Sequence, residues 1–187
     1  MIEQLRTQLK TLALLDAIIE PEWAFRYFSF DSHWSDEEEV GSLRDGSGGQ
    51  CFLWIKGDLA GYKCLSPDDG CMPDLEVVLR ETLEAYQGFI REPAFSMDQA
   101  TCIWFIQNSD CVRYGLPVQF LIDLETVSQW KAGDYLEWAR DYYERDFDLG
   151  VIEKIFRGEF STELAQTLNP QINLKDLQAD LLEIGIT

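Results

Sequence analysis

The sequence predicts an α+β fold: a mainly antiparallel sheet of about five strands covered by helices, with an N-terminal helix and a helical C-terminal third. Three observations predict it. Runs rich in aromatic and β-branched residues gather between residues 24 and 123. Residues with helical spacing hold both ends of the chain. Helices do not alternate regularly with strands, which argues against a doubly wound parallel sheet.

Ile2, Leu5, Leu9, Leu12, Leu15 and Ile19 share one helical stripe, with Glu3, Arg6, Gln8 and Lys10 opposite and Pro21 ending the run. AFRYFSF, residues 24–30, has four aromatics in seven positions and reads as a strand buried on both faces. In residues 50–65 two apolar runs flank Gly57-Asp58-Leu59-Ala60-Gly61, which signals a hairpin. A turn-rich SPDDGCMPD leads into one helix carrying Leu75, Val78, Leu79, Leu83, Tyr86, Phe89 and Ile90, with Pro73 near its start and Pro93 past its end. ATCIWFIQ, residues 100–107, is a strand; Asn108-Ser109-Asp110 turns the chain, CVRYG returns, and PVQFLID, residues 117–123, is a further strand. From Gly133 onward Tyr135, Trp138, Ala139 and Tyr142 share a helical face, as do Leu149, Ile152, Ile155 and Phe156. Ser161 and Asn173 are N-caps of two last helices. The expected organisation is one domain over residues 1–187, a sheet-containing core (1–130) with a helical extension (131–187) packed on it.

The 46% apolar and 13% aromatic content of 187 residues can fill such a core. The net charge of −19, with 15 scattered basic residues, disfavours nucleic acid and anionic membranes and favours a basic protein partner. The N-terminus lacks the basic region and apolar core of a signal peptide, and no apolar run reaches a membrane span, so a cytoplasmic location is expected. The five cysteines are odd in number and form no CxxC, and they read as reduced, buried small hydrophobes.

Residues 30–50, FDSHWSDEEEVGSLRDGSGGQ, bring together the chain's single histidine, a run of four acids and a glycine-rich turn. Asp31-Ser32-His33 holds the residue types of a hydrolytic triad, but on a strand Ser32 points away from both neighbours. His33 with a cysteine meets acidic surroundings that would raise a thiol pKa. With one histidine in the chain, no two-histidine metal site can form. Asp68-Asp69-Gly70 and Asp146-x-Asp148-x-Gly150 both depart from a calcium loop, so neither a metal nor any other cofactor is expected. Ser35 can cap a helical turn opened by the acids Asp36, Glu37, Glu38 and Glu39, which would place Val40 and Leu43 on one side. Asp45-Gly46 would end that turn, with Gly46, Gly48 and Gly49 supplying positive φ. Trp34, beside His33 and the acids, is the best candidate for an exposed recognition patch; Trp23 brackets the same strand.

FSFDSHW, SLRDGSGG, REPAF and CIWF, with the late NP and LLEIG, resemble a family of uncharacterised bacterial or cyanobacterial proteins of similar length. That resemblance covers most of the chain and implies no catalytic residues. In size and charge alone the chain is also similar to small acidic immunity proteins.

The expected function is therefore a non-enzymatic, acidic protein-binding module, immunity- or inhibitor-like, whose binding residues are Trp34, Asp36, Glu37, Glu38 and Glu39. The alternative is a small hydrolase-type enzyme using His33 with a nearby carboxylate or cysteine. A third option is an apolar small molecule held among the aromatics.

Overall fold

The computed structural model describes residues 1–66, 73–107, 110–115 and 124–186. It is α+β, with a six-stranded antiparallel sheet in the order β1-β2-β3-β4-β5-β6, an N-terminal helix and a helical C-terminal part. The chain forms two compact units: Met1–Ile2 with Asp31–Asp123, and Glu3–Phe30 with Leu124–Thr187. Among the described residues, no helix is long and apolar enough to cross a membrane.

The first unit holds the end of β1 (Phe28–Ser35), then β2 (Glu38–Arg44), β3 (Gln50–Lys56), β4 (Leu59–Leu65), β5 (Cys102–Gln107) and β6 (Asp110–Gly115). Each strand pairs with its sequence neighbour; short turns join β1 to β2, β2 to β3 and β3 to β4, whereas a long helical connection separates β4 from β5. Val40, Trp54, Gly61, Phe105 and Val112 lie in one cross-strand row and share a face. Helices α2 (Leu75–Glu81) and α3 (Gln87–Arg91), with 3-10 turns at Glu84–Tyr86, Pro93–Phe95 and Met97–Gln99, cover that face. Val78, Tyr86, Phe89, Phe95 and Met97 pack there against Val40, Trp54, Ile103 and Phe105. Gly61 makes room in the middle: a Cβ there would stand 2.6 Å from the Phe89 ring, which instead stacks 5.5 Å from Trp54.

Four sequence expectations change here. The acidic run does not open a helical turn: Asp36 and Glu37 form a tight turn and β2 starts at Glu38. A helical turn would bury Val40 and Leu43 on one side, whereas the strand buries one on each face, at 6% and 0% exposure. The aromatic strand begins at Phe28 rather than Ala24, because Trp23–Phe25 make a 3-10 turn. The helix expected from Leu75 to Ile90 breaks at Thr82-Leu83, both extended, and Gln87 Nε2 donates to the freed Leu79 carbonyl at 2.9 Å. Finally, Cys51 and Cys64 are not reduced: directly opposite across β3 and β4, with Cα atoms 4.2 Å apart, they form a disulfide. The loop Asp45–Gly49 turns on Gly46 and Gly48, at φ 74 and 105, with Asp45 Oδ1 accepting from the Ser47 and Gly49 amides; Gly49 does not take the positive φ expected of it. The strand expected at residues 117–123 and the Asp68-Asp69-Gly70 loop lie outside the described residues.

The second unit is built on α1 (Ile2–Ile19), which buries Leu5, Leu9, Leu12, Leu15 and Ile18. It is followed later by α4 (Leu124–Gln129), α5 (Ala132–Tyr143), α6 (Leu149–Phe156), α7 (Thr162–Leu168) and α8 (Leu174–Ile184). Ser161 and Asn173 cap α7 and α8 as expected, and Asp148 caps α6 by accepting from the Val151 amide. The carbonyls at the end of α1 find side-chain donors: Ile18 takes Asn169 Nδ2 and Ile19 takes Arg145 Nη2, each at 2.9 Å. Arg26, only 5% exposed, donates to the Glu20 and Pro21 carbonyls and forms a bidentate pair with Asp180 at 2.9 Å on both oxygens. Asp16 is fully buried and accepts from the Tyr27 and Phe28 amides and the Tyr135 hydroxyl. It fixes where the strand can start.

Candidate functional site

The residues expected to carry function gather at the β1–β2 hairpin end, and the structure treats them unequally. Asp31 Oδ1 accepts from the His33 backbone amide at 2.7 Å, so this carboxylate shapes the strand end, whereas a hydrolytic relay needs it on the imidazole. Ser32 does not point away from His33. Its hydroxyl lies 3.0 Å from His33 Nδ1, because that nitrogen is close to the main chain and the exposed strand end leaves the ring free to fold back. His33 is exposed, and neither of the two concave regions described below includes it.

Trp34 is 37% exposed and stacks on Phe95, with centroids 5.6 Å apart. Beside it, Asp36 and Glu37 are exposed on the turn. Glu38 is half-buried and accepts from Lys56 Nζ at 3.1 Å. Partial burial acts to raise its carboxyl, but hydrogen bonds from Trp54 and Lys56 and the Lys56 charge outweigh this and hold it below the ordinary glutamate value. Glu39 is half-buried opposite Ile55. Of the expected binding residues, Trp34, Asp36 and Glu37 are exposed, while Glu38 and Glu39 are half-buried on β2.

A second feature was not legible as a motif. Where the chain breaks between α2 and the next 3-10 turn, it leaves a groove of about 240 Å³ over β5 and β6. Its floor is aromatic, from Tyr86, Phe105 and Tyr114. The Tyr86 hydroxyl donates to the Ile106 carbonyl at 2.7 Å, which pins that ring to the sheet; burial raises its pKa to about 12, so it stays a donor. Leu83 and Val112 form rims, 51% and 53% exposed. Thr82, Glu81 and Asp110 supply the polar atoms, and Thr82 Oγ1 is buried without a hydrogen-bond partner.

Sequence reasoning also missed Lys63. It is fully buried on β4, on the face covered by the helices, with Nζ 5.5 Å from the Phe52 ring centre and no hydrogen-bond partner. Burial lowers its ammonium pKa to about 8, against a smaller raising effect of Asp98. In the second unit, a concavity beside Trp23, Arg26 and Phe28 has a volume of about 10 Å³, at most one water. Trp23 itself is 53% exposed, more than Trp34.

Among the described residues, no group of three histidine, cysteine or acidic side chains is placed to hold a metal ion. Asp146 and Asp148 have other partners: Asp146 accepts from Arg140 Nε and the Phe147 amide, and Asp148 caps α6. No protein-family model matches the chain, no curated protein matches it, and no solved structure matches its fold.

Proposed function

We propose that the chain is a binding module for a basic protein partner, docking through the hairpin end formed by Trp34, Asp36 and Glu37. The observation that carries this reading is a tryptophan held in place by stacking on Phe95, yet still 37% exposed, beside two exposed carboxylates. Pre-ordered aromatic anchors of this kind concentrate binding energy. The net charge of −19 would steer a basic partner toward any part of the surface, and the anchor would select the docking point. An inhibitor or immunity-type protein, which neutralises a basic target by occupying it, is the class this arrangement fits.

The test is retention of proteins from lysate by the immobilised chain at about 0.05 M and about 0.5 M salt, with Trp34→Ala and Asp36→Asn/Glu37→Gln chains alongside. The expected result is a basic protein held at low salt, released at high salt, and weakened by both variants. Retention indifferent to ionic strength and to Trp34 would remove the reading.

A further inference from the structure

We infer that the groove over β5 and β6 receives a basic side chain of the partner, a cation carried on an apolar stem. The inference rests on the reading of the chain as a binder of a basic protein, and it names a second point of contact. At about 240 Å³ the groove is smaller than the pockets that enclose small-molecule ligands, and it suits one side chain. Its polarity is one-sided. Glu81 and Asp110 bring two carboxylates, and none of the residues lining it is basic. The walls between those groups are the rings of Tyr86, Phe105 and Tyr114, which suit a methylene stem, and tyrosine faces attract a cation.

An ammonium group has three donors and no acceptor, so the two carboxylates can each accept one of its hydrogens. Glu81 has a competing contact, Arg80 Nη2 at 3.7 Å, but both side chains are more than half exposed and such pairs are weak. The exposed Leu83 and Val112 give the flanking residues of a partner an apolar ledge on either side.

The probe is Nα-acetyl-lysine methylamide, titrated into the full chain and followed by the backbone amide signals of Leu83, Val112 and Tyr114. Nα-acetyl-norleucine methylamide, which has the stem without the ammonium, is the control. Saturable shifts with the lysine probe are expected, at least about tenfold weaker with norleucine and in a Glu81→Gln/Asp110→Asn chain whose spectrum is otherwise native. Equal shifts from both probes, or none at tens of millimolar, would overturn the inference. Because the probe needs no protein partner, the two readings fail separately. Probe binding without salt-sensitive capture of a basic protein leaves the groove standing and removes the partner reading. Capture without probe binding removes the groove alone.

Discussion

The indole of Trp34 lies on the ring of Phe95, with centroids 5.6 Å apart and planes inclined by 22°. Phe95 in turn meets Phe52 at 5.3 Å and Phe89 at 5.2 Å, and Phe89 meets Phe105, which forms part of the groove floor. Both proposed contact points are thus surface ends of one run of rings through the core of the first unit. The hairpin end is pre-ordered by packing, so a partner meets an indole that has little side-chain freedom left to lose.

The two members of the pair should differ sharply in what they contribute to stability. Trp34 is 37% exposed and Phe95 only 1%. Trp34→Ala should destabilise by about 1 kcal/mol, mainly the stacking contact. Phe95→Ala opens a cavity in the core and should cost about 3–5 kcal/mol. Urea unfolding midpoints of the two variants, compared at constant m-value, measure this; similar losses would mean that Trp34 is a core residue and not an anchor.

Asp16 makes stability depend on pH in the opposite sense to a surface salt bridge. Its burial raises the carboxyl from 3.8 to about 6, although hydrogen bonds from the Phe28 and Tyr27 amides and the Tyr135 hydroxyl oppose the shift. The folded chain therefore holds this proton more tightly than the unfolded chain. The associated stability is fully present below the unfolded value and is lost as pH rises through about 6, at most roughly 3 kcal/mol. Other carboxylates also titrate in this window, so the readout is wild type against Asp16→Asn. Between about pH 4.5 and about pH 7.5 the wild-type stability should fall relative to the variant by about 2 kcal/mol. A constant difference would show that Asp16 titrates alike in both states.

What the sequence discloses and what it hides divide by range. The N-terminal helix, the hairpin over residues 50–65 and the caps Ser161 and Asn173 rest on neighbours within a few positions, and each is read correctly. Trp34 and the acids beside it stand out in the sequence, but the tight turn between β1 and β2 does not. The misreadings depend on distant partners. The acidic run becomes β2 because Val40 and Leu43 find Trp54 and Cys51 opposite them. The helix after Leu75 breaks at Thr82-Leu83 although apolar spacing continues across it, so periodicity gives no warning. The groove follows from that break and from Tyr86 reaching the carbonyl of Ile106, and neither leaves a local trace.

The Cys51–Cys64 disulfide is a product of register that spacing alone does not reveal, its members standing 13 positions apart. The next strand places Cys102 directly opposite Cys64. Breaking the bridge should cost about 2–3 kcal/mol for a loop of this length. Reductant should lower the urea midpoint of the wild type and leave a Cys51→Ala/Cys64→Ala chain unchanged. An unaffected wild-type midpoint would show that the bridge adds nothing to stability.

Lys63 is the residue whose environment works most clearly against the fold. A fully buried ammonium over the Phe52 ring, with no hydrogen-bond partner among the described residues, lacks the bonds that offset desolvation. Its pKa falls from 10.5 to about 8, with burial the main cause. The folded chain therefore releases this proton more readily than the unfolded chain. The stability tied to the neutral amine is present above 10.5 and lost as pH falls through about 8, leaving the full penalty at pH 7. Lys63→Met keeps the stem, removes the charge and places sulfur near an aromatic ring. Stability at about pH 7 should rise by about 1–3 kcal/mol, and the gain should shrink by more than half at about pH 10, where the amine is neutral when folded. An equal gain at both pH values would assign the effect to packing, and a loss at pH 7 would mean that the attraction of Asp98 outweighs burial.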